Sequence, residues 1–190
     1  MKTYKNSKHT VEQDNTLVVK GISKSASVAL GMVLLALGFV VPCANAETPI
    51  SIADTNFILA AAQEGMTEVK LGELAVTNGV REDVKAFGQM MIKDHKTINR
   101  DLKALAAQKG VTLPDNLDVN HQGMVDKMTA LTGSGFDNAY IQSMIIAHQN
   151  DAKAFKTEFT TTHDPDIERF LDQSIPLVEM HLKHVAAMQK

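Results

Sequence analysis

Disulfides, indole rings and an excess of basic residues are all missing from this chain. It has one cysteine (Cys43), no tryptophan, and only Tyr4 and Tyr140 as tyrosines among 190 residues. A lone cysteine excludes a disulfide framework and a Cys-x-x-Cys metal or redox motif. No glycine-rich phosphate loop and no serine or cysteine nucleophile motif is present. No segment alternates apolar and polar residues with the period of two that a half-buried strand requires. Basic residues do not exceed acidic ones (19 against 22), which argues against nucleic acid or an anionic membrane surface as partner.

The first 46 residues read as an export signal. Lys2, Lys5, Lys8, Lys20 and Lys24 precede the uncharged, mostly apolar run from Ala26 to Val41, and Ala44-Asn45-Ala46 supplies a small-x-small cleavage site. Cleavage is expected before Glu47. The apolar run is short of the roughly 20 residues that a spanning helix needs. Val41 and Pro42 do not suit lipid processing at Cys43. The expected organisation is a signal peptide over 1–46 and one domain over 47–190, periplasmic or secreted, with envelope association left open. Removing five lysines and two acids from 19 and 22 leaves 14 and 20, a net charge of −6 and no thiol. A domain of this length buries roughly two thirds of its unfolded surface, enough for a core without covalent staples.

What is present is helical. Ser51-x-x-Asp54 reads as a capping box, followed by the stripe Phe57, Ala60, Ala61, Leu71, Leu74 with Glu64 in its seam, and Asn78-Gly79 as the stop. The second helix carries Val84, Gly88, Met91, His95, Ile98, Leu102 and Leu105 at three- and four-residue steps. Residues 111–133 form a long connection with a short helix expected around Met124 to Leu131. Ser134-x-x-Asp137 is expected to cap the third long helix, with the stripe Ile141, Ile145, His148, Ala152, Phe155, Phe159. Asp164-Pro165 opens the fourth, with the stripe Ile167, Phe170 and Leu171, Ser174, Leu177, His181, His184 and Val185, Met188. Pro176 is expected to kink it. The fold class is all-α: a four-helix bundle with a long crossover between the second and third long helices.

Each of these four helices places one metal-ligand type on its apolar face: Glu64, His95, His148 and His181. A titratable group there is costly unless paired or ligated. Glu64 and His95 are equidistant from the first turn, and His148 and His181 nearly so from the second. Each pair lies about 15 residues, or roughly 23 Å, along its helices, which predicts one layer at half height. Three imidazoles and a carboxylate suit Cu, Zn or Fe. Asp94, Asp151 and His184 are candidates for orienting the ligands, and Gln63 and Glu68 join if the first helix is rotated slightly. Met91, Met144 and Met188 each lie four residues from a histidine, where a soft thioether would favour Cu(I) but where methionine also serves as ordinary core filling. A second reading stays open, in which the same groups hydrogen-bond to one another as a polar layer that fixes helix register. His121 and His163 lie in connections and are expected to be solvated, and the Tyr140 hydroxyl is expected to bond within the bundle.

The run Phe57…Ala60-Ala61-Ala62-Gln63-Glu64, the pair Asp94-His95, Phe136-Asp137…Tyr140, His148 and Pro176…His181-Leu182 resemble an exported ferritin-like family of unknown function, often labelled as outer-membrane proteins. The resemblance covers about residues 52 to 188. It implies a ferritin-like four-helix fold and an exported location, and no reaction. One departure from di-iron bundles matters, since those pair two glutamates with two Glu-x-x-His motifs. Here Ile92, Ile145 and Val178 stand three residues before His95, His148 and His181. Oxidase chemistry is therefore not expected. The sequence reading is a non-catalytic bundle that binds or buffers a transition metal, or a structural or protein-interaction component of the envelope.

Overall fold

The computed structural model describes residues 49–189; the expected signal peptide lies outside them. Five helices follow one another: α1 (Ile52–Asn78), α2 (Glu82–Gln108), α3 (Val119–Thr129), α4 (Gly133–Thr161) and α5 (Pro165–Ala187). There is no strand among the described residues, and no described helix is long and apolar enough to cross a membrane.

The four long helices form two antiparallel hairpins, α1–α2 and α4–α5, with α1 beside α4 and α2 beside α5. Contacts at the two ends fix the directions. At one end the buried carboxylate of Asp137, on α4, accepts hydrogen bonds from the Val80 and Arg81 amides at 3.1 and 3.0 Å. Arg81 reaches the Met188 carbonyl at 3.1 Å. At the other end Lys109 lies 2.7 Å from both Asp164 and Asp166. The chain therefore runs up α1, down α2, back to the top through the crossover, down α4 and up α5. Every neighbouring pair of long helices is antiparallel. The crossover is clamped to α1 by Gln63, which donates to the Asn116 carbonyl and accepts from the Asp118 amide.

Local signals explain most boundaries. Ser51 caps α1 by accepting from the Asp54 amide, and Asp164 caps α5 by accepting from Asp166 and Ile167 ahead of Pro165. Helix α5 continues through Pro176. Other expectations are corrected. Asp137 does not cap its own helix; Thr132 occupies that position without a side-chain bond, and the Asp137 carboxylate satisfies the free amides that open α2 instead. The crossover helix begins at Val119, capped by Asp118, five residues before the expected Met124. On α5 Val178 is the more deeply buried, ahead of Leu177, and Phe159 on α4 is 42% exposed.

The first hairpin is drawn together by glycine. A Cβ built at Gly88 would stand 2.7 Å from the Ala75 Cβ and 2.8 Å from the Gly72 carbonyl oxygen, so α1 and α2 meet backbone to backbone there. Two apolar clusters fill the bundle. One is built around Ile58, Leu102, Phe155 and Leu171, the other around Leu71, Phe87, Phe136, Tyr140 and Met144. Between them lies a layer of buried polar side chains.

Candidate metal centre

That layer contains Glu68 from α1, His95 from α2, His148 and Asp151 from α4, and His181 from α5, each no more than 7% exposed. Its three imidazoles come together. Ring centroids are 5.3 to 5.7 Å apart, and one nitrogen from each lies within 4.8 Å of the others. A tetrahedral or trigonal ion with bonds of about 2.0–2.1 Å needs nitrogens about 3.3–3.6 Å apart, so a bound ion would draw the three rings inward.

Hydrogen bonds on the outer side of two rings fix which nitrogen faces inward. His148 Nδ1 is 2.9 Å from the Met144 carbonyl, an acceptor only, so Nδ1 carries the proton and Nε2 is bare. His181 Nε2 is 3.0 Å from an Asp94 carboxylate oxygen, so Nε2 carries the proton and Nδ1 is bare. Both inward nitrogens are buried without a hydrogen-bond partner, as is His95 Nε2, while Asp151 stands against the Glu68 carboxylate. His148 Nε2 lies 3.5 Å from Glu68 Oε1, lone pair against lone pair. His95 Nδ1 and Glu68 Oε2 approach to 2.8 Å in a geometry too bent for a straight hydrogen bond. A folded interior rarely leaves so many polar atoms unpaired. A cation shared by the three imidazoles would satisfy their bare nitrogens.

The protonation states suit that use. Burial, reinforced by the neighbouring imidazoles, holds His181 down to about 4, although the Asp94 hydrogen bond pulls the other way. Burial likewise lowers His148, against the charge of Glu68. Both rings are then neutral donors at pH 7. Burial opposes the charged form of Glu68, but His95, with His148 and His181, outweighs it and leaves that carboxyl below its ordinary range. Burial and the charges of Glu68 and Glu64 push Asp151 up to about 9, so it is a neutral acid at pH 7. Burial also raises the Tyr140 phenol, whose hydroxyl has no partner, contrary to the expected hydrogen bond.

Of the residues picked from sequence, His95, His148 and His181 meet in this layer, with Asp94 behind His181 and Asp151 beside Glu68 and His148. Glu64 does not join them. Its side chain is 40% exposed and its Oε1 lies 3.3 Å from His121 Nε2. Glu68, one turn further along, occupies the interior position. The reason is the rotation of α1, whose buried face follows Ile58, Ala61, Gly65, Glu68, Leu71, Gly72 and Ala75. That line of small residues is the sequence signal for Glu68, because it marks where another helix can approach. His184 is exposed and sets its ring edgewise on Phe87 at 5.4 Å, so it orients no ligand. His121 is not solvated as expected: its side chain is 18% exposed, and Nδ1 lies 2.9 Å from Asp118. His163 is exposed.

Solved structures share the fold at low identity. A DUF305 fragment from Deinococcus radiodurans is 13% identical with a TM-score of 0.65, the match covering 74% of this chain and 97% of that one. CopM in its Cu(I)-bound form is 18% identical with a TM-score of 0.60, covering 71% and 94%. Its Cu(II)-bound form is 19% identical with a TM-score of 0.61, over the same shares. Comparison with curated proteins gave no match. The family profile that matches, described as a domain of unknown function, DUF4142, spans residues 40–188, and the chain belongs to that family.

Proposed function

We propose that this protein is an exported, non-catalytic carrier or buffer of a transition-metal ion, with copper the preferred cargo. One observation carries the reading: three buried imidazoles from three helices converge, and outer hydrogen bonds point bare nitrogens of two of them inward. His95, His148 Nε2 and His181 Nδ1 would hold the ion, with Glu68 as the charged fourth group. Asp94 would orient His181 in the way a carboxylate behind a ligand histidine does. Such a set suits Cu, Zn or Fe. Copper is favoured because CopM, which shares the fold, was solved with Cu(I), Cu(II) and Ag bound. Met91 and Met144 stand one turn before His95 and His148, where a thioether could serve as a soft donor, and both pack in the adjoining apolar cluster. Oxygen-activating di-iron chemistry is disfavoured because the histidines lack the Glu-x-x-His partners it uses.

Export rests on the lysine-led apolar segment and its Ala44-Asn45-Ala46 site. Elemental analysis of the mature protein, purified without chelators, tests the site, and its N-terminal residue (expected Glu47) tests cleavage. The wild type should hold one equivalent of metal. His148→Ala should hold none while keeping its far-ultraviolet helicity. A His148→Ala protein that still binds one equivalent with unchanged affinity shows the site to be wrong. A wild type that binds nothing assigns these residues to a polar layer that fixes helix register.

A further inference from the structure

Glu64, displaced from the metal centre, stands at a hydrated edge of it. The polar layer encloses a cavity of about 10 Å³, lined by Glu64, Glu68, His95 and Asp151 together with apolar neighbours. Three of these four polar side chains are sealed from water. Glu64 is not: its side chain is 40% exposed, against 3% for Glu68 and 4% for His95. On its outer side Glu64 meets His121 of the crossover helix, which is itself pinned by Asp118. On its inner side lie the buried carboxyl groups of Asp151 and Glu68. Carboxyl groups thus descend in steps from the surface to the imidazoles, Glu68 ionised and Asp151 neutral, and one imidazole on α3 covers the first step.

We propose that Glu64 and His121 form the loading gate of the buried site. The occupant is the transition-metal ion of the functional reading, on which this inference rests. An ion is first captured by Glu64 as it leaves His121, and then passes the neutral acid Asp151 to the Glu68 carboxylate before the three histidines take it. His121 returning to Glu64 closes the route. Desolvating a cation is costly in one step and easier in several, because each carboxylate replaces part of the lost hydration. The clamp of Gln63 on Asn116 and Asp118 keeps α3 anchored while the His121 side chain moves.

Co(II) absorption in stopped flow, at about 0.15 M salt to screen long-range steering, tests the gate on the full-length mature protein. Glu64→Gln should slow loading by about tenfold, through loss of one charged contact to the entering ion, and leave the spectrum of the loaded protein unchanged, because Glu64 is not a ligand. His121→Ala should load faster than wild type. Glu73→Gln, a surface carboxylate elsewhere on α1, should load at the wild-type rate. Normal equilibrium loading with wild-type rates in both gate variants overturns the gate alone. A changed Co(II) spectrum in Glu64→Gln also overturns it, by making Glu64 a ligand. A wild type that takes up neither Co(II) nor copper overturns the metal reading and the gate together.

Discussion

Asp151 shows how one side chain can be a liability in the folded protein and still belong to its chemistry. Burial and two neighbouring carboxylates push it to about 9, against an ordinary 3.8. The folded protein therefore holds a proton that the unfolded chain releases between those values. Stability contributed by this proton is present below about pH 4 and declines as the pH rises towards 9. Asparagine mimics the neutral acid and removes the dependence. In urea melts of the metal-free protein, Asp151→Asn should match wild type near pH 4 and exceed it by about 1–3 kcal/mol near pH 9. Equal stabilities at both ends of that range would mean that Asp151 is ionised in the fold. The sequence placed Asp151 beside His148 because they lie three residues apart on one helix. Its company with Glu68 came only from the packing of α1 against α4.

At the scale of elements, α2 was legible throughout, α5 apart from Leu177 and His184, and α1 was not. In α2 the apolar residues stand apart from lysines, arginines and acids, and every stripe residue read from sequence is buried. Helix α1 offers Ala60-Ala61-Ala62 and glycines at 65 and 72, so hydrophobicity barely distinguishes its faces, and a stripe through Glu64 reads as well as one through Glu68. Close packing decides, because the glycine face allows α2 to approach most nearly. This argues that the Gly72–Gly88 contact sets the rotation of α1 and, through it, the position of Glu68. Gly88→Val should destabilise the protein by at least about 2 kcal/mol and weaken metal affinity, although it touches no ligand. Thermal melts and a metal titration on the same variant check both. A variant with lowered stability and intact affinity would separate the helix contact from the site.

Across the whole molecule, the proposed ion would tie the two hairpins together. His95 belongs to the first, and His148 and His181 to the second. Within each hairpin the helices are joined by a short turn, whereas between hairpins the chain offers only the long crossover. An ion bound to the folded state alone, at a free concentration about 100 times its dissociation constant, stabilises by about 2.7 kcal/mol. That corresponds to a rise in Tm of about 5–10 °C for a domain of this size. Wild type should show the rise and His148→Ala should not. A similar rise in both proteins would place the stabilising ion elsewhere.

Caps, helix periods and the mid-helix histidines were set by local sequence, since hydrogen-bonding termini and a 3.6-residue period are properties of short segments. The lack of a two-residue alternation pointed away from strands, and the single cysteine from a disulfide framework. Tertiary packing alone chose Glu68 over Glu64, sent Asp137 to the opposite turn, drew His121 from solvent and left His184 on the surface. Each of those outcomes depends on which face of one helix a distant helix covers. That face is decided by the fit between surfaces far apart in the chain, which no local window contains.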